Sequence, residues 1–136
     1  MTVRGICATR PVVNEPFGLA LSADGRRLFV AQGGNTATLS VFDTATMQGS
    51  SLYTGAGSYG VELNSAETRA YVSNSGAGTV SVVDVSSTLE VIGTINGFLS
   101  PGSLRLSADG AHLYALETGS SPVIAIAGDL NRAATP

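Results

Sequence analysis

Apolar residues two apart recur along this chain in short runs, and the runs themselves repeat. Gly18-Leu19-Ala20-Leu21-Ser22, Gly60-Val61-Glu62-Leu63-Asn64 and Ser103-Leu104-Arg105-Leu106-Ser107 alternate with period two, the pattern of a strand with two unlike faces. A second run follows each: Leu28-Phe29-Val30-Ala31-Gln32, Ala70-Tyr71-Val72-Ser73-Asn74 and Leu113-Tyr114-Ala115-Leu116-Glu117. Its aromatic residue stands at 29, 71 and 114, spacings of 42 and 43, and Leu21, Leu63 and Leu106 keep the same two spacings. The third runs are Thr38-Leu39-Ser40-Val41-Phe42-Asp43, Thr79-Val80-Ser81-Val82-Val83-Asp84 and Pro122-Val123-Ile124-Ala125-Ile126. They are apolar on both sides, as in sheets covered on both faces. A fourth, weaker strand is readable at Ser51-Leu52-Tyr53-Thr54 and at Glu90-Val91-Ile92-Gly93-Thr94-Ile95.

The connections are specific. Asp24-Gly25 and Asp109-Gly110 join first strand to second, a tight turn needing the positive φ that Asp and Gly tolerate. The middle repeat has Ala66-Glu67 there, which predicts a different, less tight turn. Asp43 and Asp84 end their strands as turn formers whose carboxylates accept bonds from backbone N–H groups just downstream. Ala127-Gly128-Asp129 departs from that pattern in the third repeat.

Four antiparallel strands every 42 or so residues, with glycine-rich turns and no helical periodicity, predict an all-β protein built from propeller blades. A sandwich would not need to restate the same residues at the same offsets. The run Pro16-Phe17-Gly18-Leu19-Ala20-Leu21-Ser22-Ala23-Asp24-Gly25-Arg26-Arg27-Leu28-Phe29-Val30-Ala31, with Leu39-Ser40-Val41-Phe42-Asp43-Thr44-Ala45-Thr46 after it and Tyr71-Val72-Ser73-Asn74 in the next repeat, resembles the YVTN family of β-propeller repeats. The resemblance runs from about Asn14 to Ile126. It implies four-stranded antiparallel blades, and relatives among prokaryotic surface-layer, extracytoplasmic, lactonase-type and cofactor-bearing propellers. No single reaction is implied.

The expected organisation is an outer strand at 1–13 completing a neighbouring blade, then blades at 14–57, 58–98 and 99–136, the last with a frayed C-terminus. Propellers close with about four to eight blades, so three form a partial ring with two apolar faces uncovered. The expected partner is therefore the chain itself, exchanging N-terminal strands in a twofold six-bladed homodimer, or the remaining blades of a longer chain, with another protein as a further partner. Closing a strained three-blade circle within one chain is the poorer geometry.

Composition narrows the function classes. Apolar residues make up 43% of the 136-residue, 13.7 kDa chain and charged ones 12%, which excludes a disordered tail. There is no lysine, the seven arginines are dispersed and the net charge is −3, so no basic stripe exists for nucleic acid. Cys7 is the only cysteine, which leaves no intrachain disulfide or cysteine-clustered zinc site. Met1 to Cys7 lacks the apolar core of a secretory signal, and no stretch reaches the length of a membrane helix. The expectation is no membrane insertion, and a cytoplasmic chain as written, or an extracytoplasmic one if it is part of a longer family member.

Candidate chemistry is absorbed by the repeat. His112, the single histidine, falls in the column of Arg27 and Arg69 at the start of a second strand, with no ligand-spaced cluster around it. Ala56-Gly57-Ser58-Tyr59-Gly60 imitates a nucleophile elbow, but a strand follows where a helix is required, and Ser58 aligns with Pro16 and Pro101. Gly76-Ala77-Gly78 likewise lacks the helix of a phosphate loop. No catalytic residue, metal ligand or cofactor is therefore assigned.

Two groups remain as candidates. Glu62 and Arg105 share the column of Ala20 on the innermost strand, either as an ion pair between blades or as lining of the central channel. Glu15, Phe17 and Tyr59 are expected near Gln32, Asn74 and Glu117 at one end of the ring, as a ligand- or partner-binding face or as packing and strand-terminating residues. The resulting expectation is a non-enzymatic module for protein or small-ligand binding or scaffolding. Its competitor is a fragment of a lactonase-type propeller enzyme whose catalytic residues lie in blades outside this chain.

Overall fold

Each repeat forms one antiparallel sheet whose strands follow one another in chain order. The first blade is β1 (Pro16–Leu21), β2 (Arg27–Gln32), β3 (Thr38–Asp43) and β4 (Gly49–Tyr53). The second is β5 (Ser58–Leu63), β6 (Arg69–Asn74), β7 (Thr79–Asp84) and β8 (Glu90–Ile95), and the third is β9 (Pro101–Leu106), β10 (Leu113–Glu117) and β11 (Val123–Ala127). The computed structural model describes residues 5–6, 8–12, 15–34, 37–119, 123–128 and 130. Residues 5–6 and 8–12 lie in no strand, and the Arg10 guanidinium sits 5.8 Å from the centre of the Phe42 ring. Val3, Cys7 and Val13, within the expected N-terminal strand, and residues 131–136 of the C-terminal tail lie outside the described residues.

The turn after the first strand is the same in all three blades, which corrects the expectation for the middle one. Ser22, Asn64 and Ser107 each donate their N–H to the carbonyl five residues on, at 2.9, 3.1 and 2.8 Å. Gly25, Glu67 and Gly110 return an N–H to those same three residues, each at 2.9 Å. Gly25 and Gly110 have φ of 72°, and Glu67 takes up φ of 57° in their place. The side chain that braces the turn has changed instead. Ser22 Oγ and Asp24 accept the N–H groups of Arg27 and Arg26, whereas Asn64 Oδ1 alone accepts those of Thr68 and Arg69. One amide oxygen thus replaces a hydroxyl and a carboxylate.

Asp43 and Asp84 act as expected. Asp43 accepts from the N–H groups of Ala45 and Thr46, and Asp84 from the N–H and hydroxyl of Ser86.

The core lies between blades. Phe29, Ala31 and Leu39 on the leading face of the first blade pack against Val61, Ala70, Val72, Val83 and Val85 on the trailing face of the second. Tyr71, Val80 and Val82 on the second blade's leading face then pack against Leu104, Leu113, Ala115 and Leu130 of the third. Burying each such Val, Leu or Phe contributes about 1.5–3 kcal/mol, and a lone blade would forfeit it. Stacking is what holds the sheets together.

Candidate functional site: the inner-strand groove and its two ends

The inner strands β1, β5 and β9 run side by side because two of them carry glycine where they meet. A Cβ at Gly18 would lie 2.5 Å from the Tyr59 carbonyl oxygen, and one at Gly60 2.7 Å from that of Gly102. Ser73 ties the second approach down: its hydroxyl accepts the Gly60 N–H at 2.8 Å and donates to the Gly102 carbonyl at 2.6 Å.

Along these strands runs a groove of about 630 Å³ whose walls include Leu19, Leu21, Glu62, Leu63 and Arg105. Glu62 is half-buried, and burial raises its pKa, while the positive charge of Arg105 and the Leu106 backbone pull it down. Arg105 is exposed. The groove therefore sets a carboxylate whose pKa is raised by burial and an exposed guanidinium on adjacent blades, an arrangement suited to orienting a polar ligand.

At one end the structure brings the sequence candidates together, and it buries three of them. Pro16 pairs with Gln32, Ser58 with Asn74 and Pro101 with Glu117, so the chain enters each blade beside the end of its second strand. The Glu117 carboxylate accepts the N–H groups of Leu99 and Ser100, which pins the third blade's incoming link. Asn74 donates to Thr79 and Ser81 and accepts from Ser58. Gln32 accepts from Ser40 at 2.7 Å, and its Nε2 is buried without a partner among the described residues. These side chains are directed inward, into strand-end hydrogen bonds. Phe17 and Tyr59 remain partly exposed and stack with ring centres 5.0 Å apart at 11°, while Glu15 is exposed and its carbonyl accepts the Gly33 N–H. The solvent-facing part of this end is thus the Phe17–Tyr59 stack with Glu15 beside it.

The opposite end carries a bridge that sequence reasoning missed. Glu67 accepts the N–H of Ala23 at 2.7 Å, and Arg27 donates to the carbonyls of Val85 and Glu67, so three hydrogen bonds join the first and second blades. The only signal was a glutamate in a glycine column. Ser58 is buried against Thr54, Gly55 and Asn74, and His112 is exposed, its N–H donated to Ser107 Oγ. Among the described residues no three His, Cys, Asp or Glu side chains gather as metal ligands, and no helix is long and apolar enough to cross a membrane.

Solved structures share this architecture. Hydrazine synthase of Kuenenia stuttgartiensis superposes with a TM-score of 0.80 over 98% of this chain and 37% of its own, at 21% identity. A candidate 6-phosphogluconolactonase of Bacteroides uniformis gives 0.68 over 83% and 36%, also at 21% identity. The β-propeller domain of Cps50 (Swd1) from Myceliophteria thermophila gives 0.70 over 84% and 38%, at 14% identity. No protein-family model and no curated protein matches the chain. With the three blades, these likenesses define an all-β protein of the β-propeller class. The chain spans less than two fifths of each of these structures.

Proposed function

We propose that the chain is a propeller module of the YVTN repeat type, non-enzymatic, that binds a protein or small polar ligand in the groove between its inner strands. The observation that carries this reading is the groove itself: three blades converge on one concavity in which Glu62 and Arg105 stand as opposite charges. Such a surface holds a ligand by two polar anchors on a rigid scaffold. Ring completion, by a second copy or by blades of a longer chain, would wall the groove into a channel.

One observation favours a second reading, a fragment of a lactonase-type enzyme: the superposition on the candidate 6-phosphogluconolactonase. Fold alone does not transfer an activity. The two readings separate in one experiment, a binding screen of small polar compounds including δ-gluconolactone, followed by amide chemical shifts and by lactone hydrolysis. The binding module predicts shifts at Glu62 and Arg105, weakened in Glu62→Arg, without turnover. Lactone turnover proportional to protein and abolished by substitution in the groove would overturn it.

A further inference from the structure

Resting on the reading of the chain as a propeller module, we infer that the leading face of the third blade is the docking surface for the trailing face of the first blade in a second copy, head to tail. The chain already makes this interface twice within itself. Phe29 is 0% exposed and Tyr71 3%, each covered by the blade that follows, whereas Tyr114 in the same column is 40% exposed. On the other side, Val61 and Leu104 are 7% and 6% exposed beneath the blade that precedes them, and Leu19 in their column is 70% exposed. The exposed positions, Leu19 and Leu21 on one face and Tyr114, Leu116 and Ile124 on the other, therefore belong to the two halves of one repeated interface.

Their shapes agree. Tyr114, Leu116 and Ile124 rim a hollow of about 380 Å³ on the third blade, and Leu19 and Leu21 stand out from the first blade as aliphatic knobs. Further out on that trailing face Val30 and Phe42 are already 7% and 8% exposed within the chain, with Arg10 over the Phe42 ring, so the second copy docks on the inner part of the face, at Leu19 and Leu21.

A molecule carrying both halves of a heterologous interface either closes a ring or polymerises. Two chains of three blades give six, within the range at which propellers close. The seam differs in detail from the internal interfaces. Ser103 stands in the column of Gly18 and Gly60, so the inner strands are held further apart there, and Leu116, in the column of Ala31 and Ser73, fills the added width.

The test is mass in solution by light scattering and native mass spectrometry across concentration, on wild type, Ile124→Asp and Leu19→Asp. Both residues are exposed within one chain, so circular dichroism of the variants should match wild type, as should their melting at a dilution where all are monomeric. Wild type should be a closed dimer. Each variant should dissociate at least tenfold more readily, because an aspartate would be desolvated at the seam. Mixing the two variants should give a heterodimer, because Leu19→Asp keeps an intact leading face and Ile124→Asp an intact trailing face. A monomeric wild type, an open-ended series of masses, or variants that dimerise like wild type would overturn the inference. The wild-type mass decides even if a variant does not fold. A monomer that still binds in its groove would refute the seam alone, and a dimer with no groove binding would refute only the proposed function.

Discussion

Replacing Ser73 with alanine isolates the bond that joins second blade to third. The hydroxyl is fully buried, accepts the Gly60 N–H at 2.8 Å and donates to the Gly102 carbonyl at 2.6 Å. Both glycines are buried as well, so the substitution strands one donor and one acceptor away from water. A buried unpaired polar group costs about 1–3 kcal/mol, and two place the expected loss at about 2–6 kcal/mol, a large share of the roughly 5–15 kcal/mol that holds a domain folded. Alanine itself fits, because Ala31 fills the same column in the first blade with full burial. Sterics therefore contribute little and the loss is polar. Urea denaturation followed by circular dichroism and tyrosine fluorescence measures the total, and hydrogen exchange at the Gly60 amide locates it. A loss below about 0.5 kcal/mol, within the range of ordinary surface substitutions, or a Gly60 amide as protected in Ser73→Ala as in wild type, would refute the reasoning.

Gly60→Ala should cost about 1–3 kcal/mol by overpacking, because its Cβ would stand 2.7 Å from the Gly102 oxygen. Ser103→Gly, in the same column but exposed, should cost at most about 1 kcal/mol; equal losses in the two variants would contradict the close-approach account. Stability should also depend on pH in two limbs. Burial raises the folded pKa of Glu62, so the folded state binds that proton more tightly than the unfolded state and stability rises as pH falls from neutrality through that folded value. Below the ordinary carboxylate range it falls again. There Asp24, held low chiefly by the Arg26 N–H, Asp84 by Ser86 and Asp109 by Ser107 are protonated as pH drops through their folded values. Denaturation midpoints against pH, compared with Glu62→Gln, check the sign: the variant should lose the upper limb and keep the lower, and an unchanged upper limb would contradict the assignment.

Strands were legible because the repeat prints them three times. Phe29, Tyr71 and Tyr114 fix the second strand in every blade, and the period-two runs before them fix the first. The turn at Ala66-Glu67 was misread because its bracing residue is Asn64, and no local rule flags a glutamate that accepts positive φ while its carboxylate reaches Ala23 of the preceding blade. Gln32, Asn74 and Glu117 show a further limit. Their column and their end of the blade were readable, but their burial was not, since the partners of Glu117 come from a link 17 or 18 residues earlier and that of Asn74 from Ser58. Ser73 gave no signal at all. Its acceptor is a backbone carbonyl of the next blade, and backbone partners leave no mark in a side-chain pattern. Glu62 and Arg105 fall between these cases: one shared column placed them on the inner strand, and the groove they line emerged only when three strands were set side by side.

The central claim is that three blades form an arc whose end faces are halves of the interface that holds the arc together. The most direct test is the mass of the intact wild-type protein at equilibrium over a wide concentration range. The account predicts a single species of two 13.7 kDa chains. A chain that stays monomeric at every concentration, or that assembles without a defined end point, would contradict it.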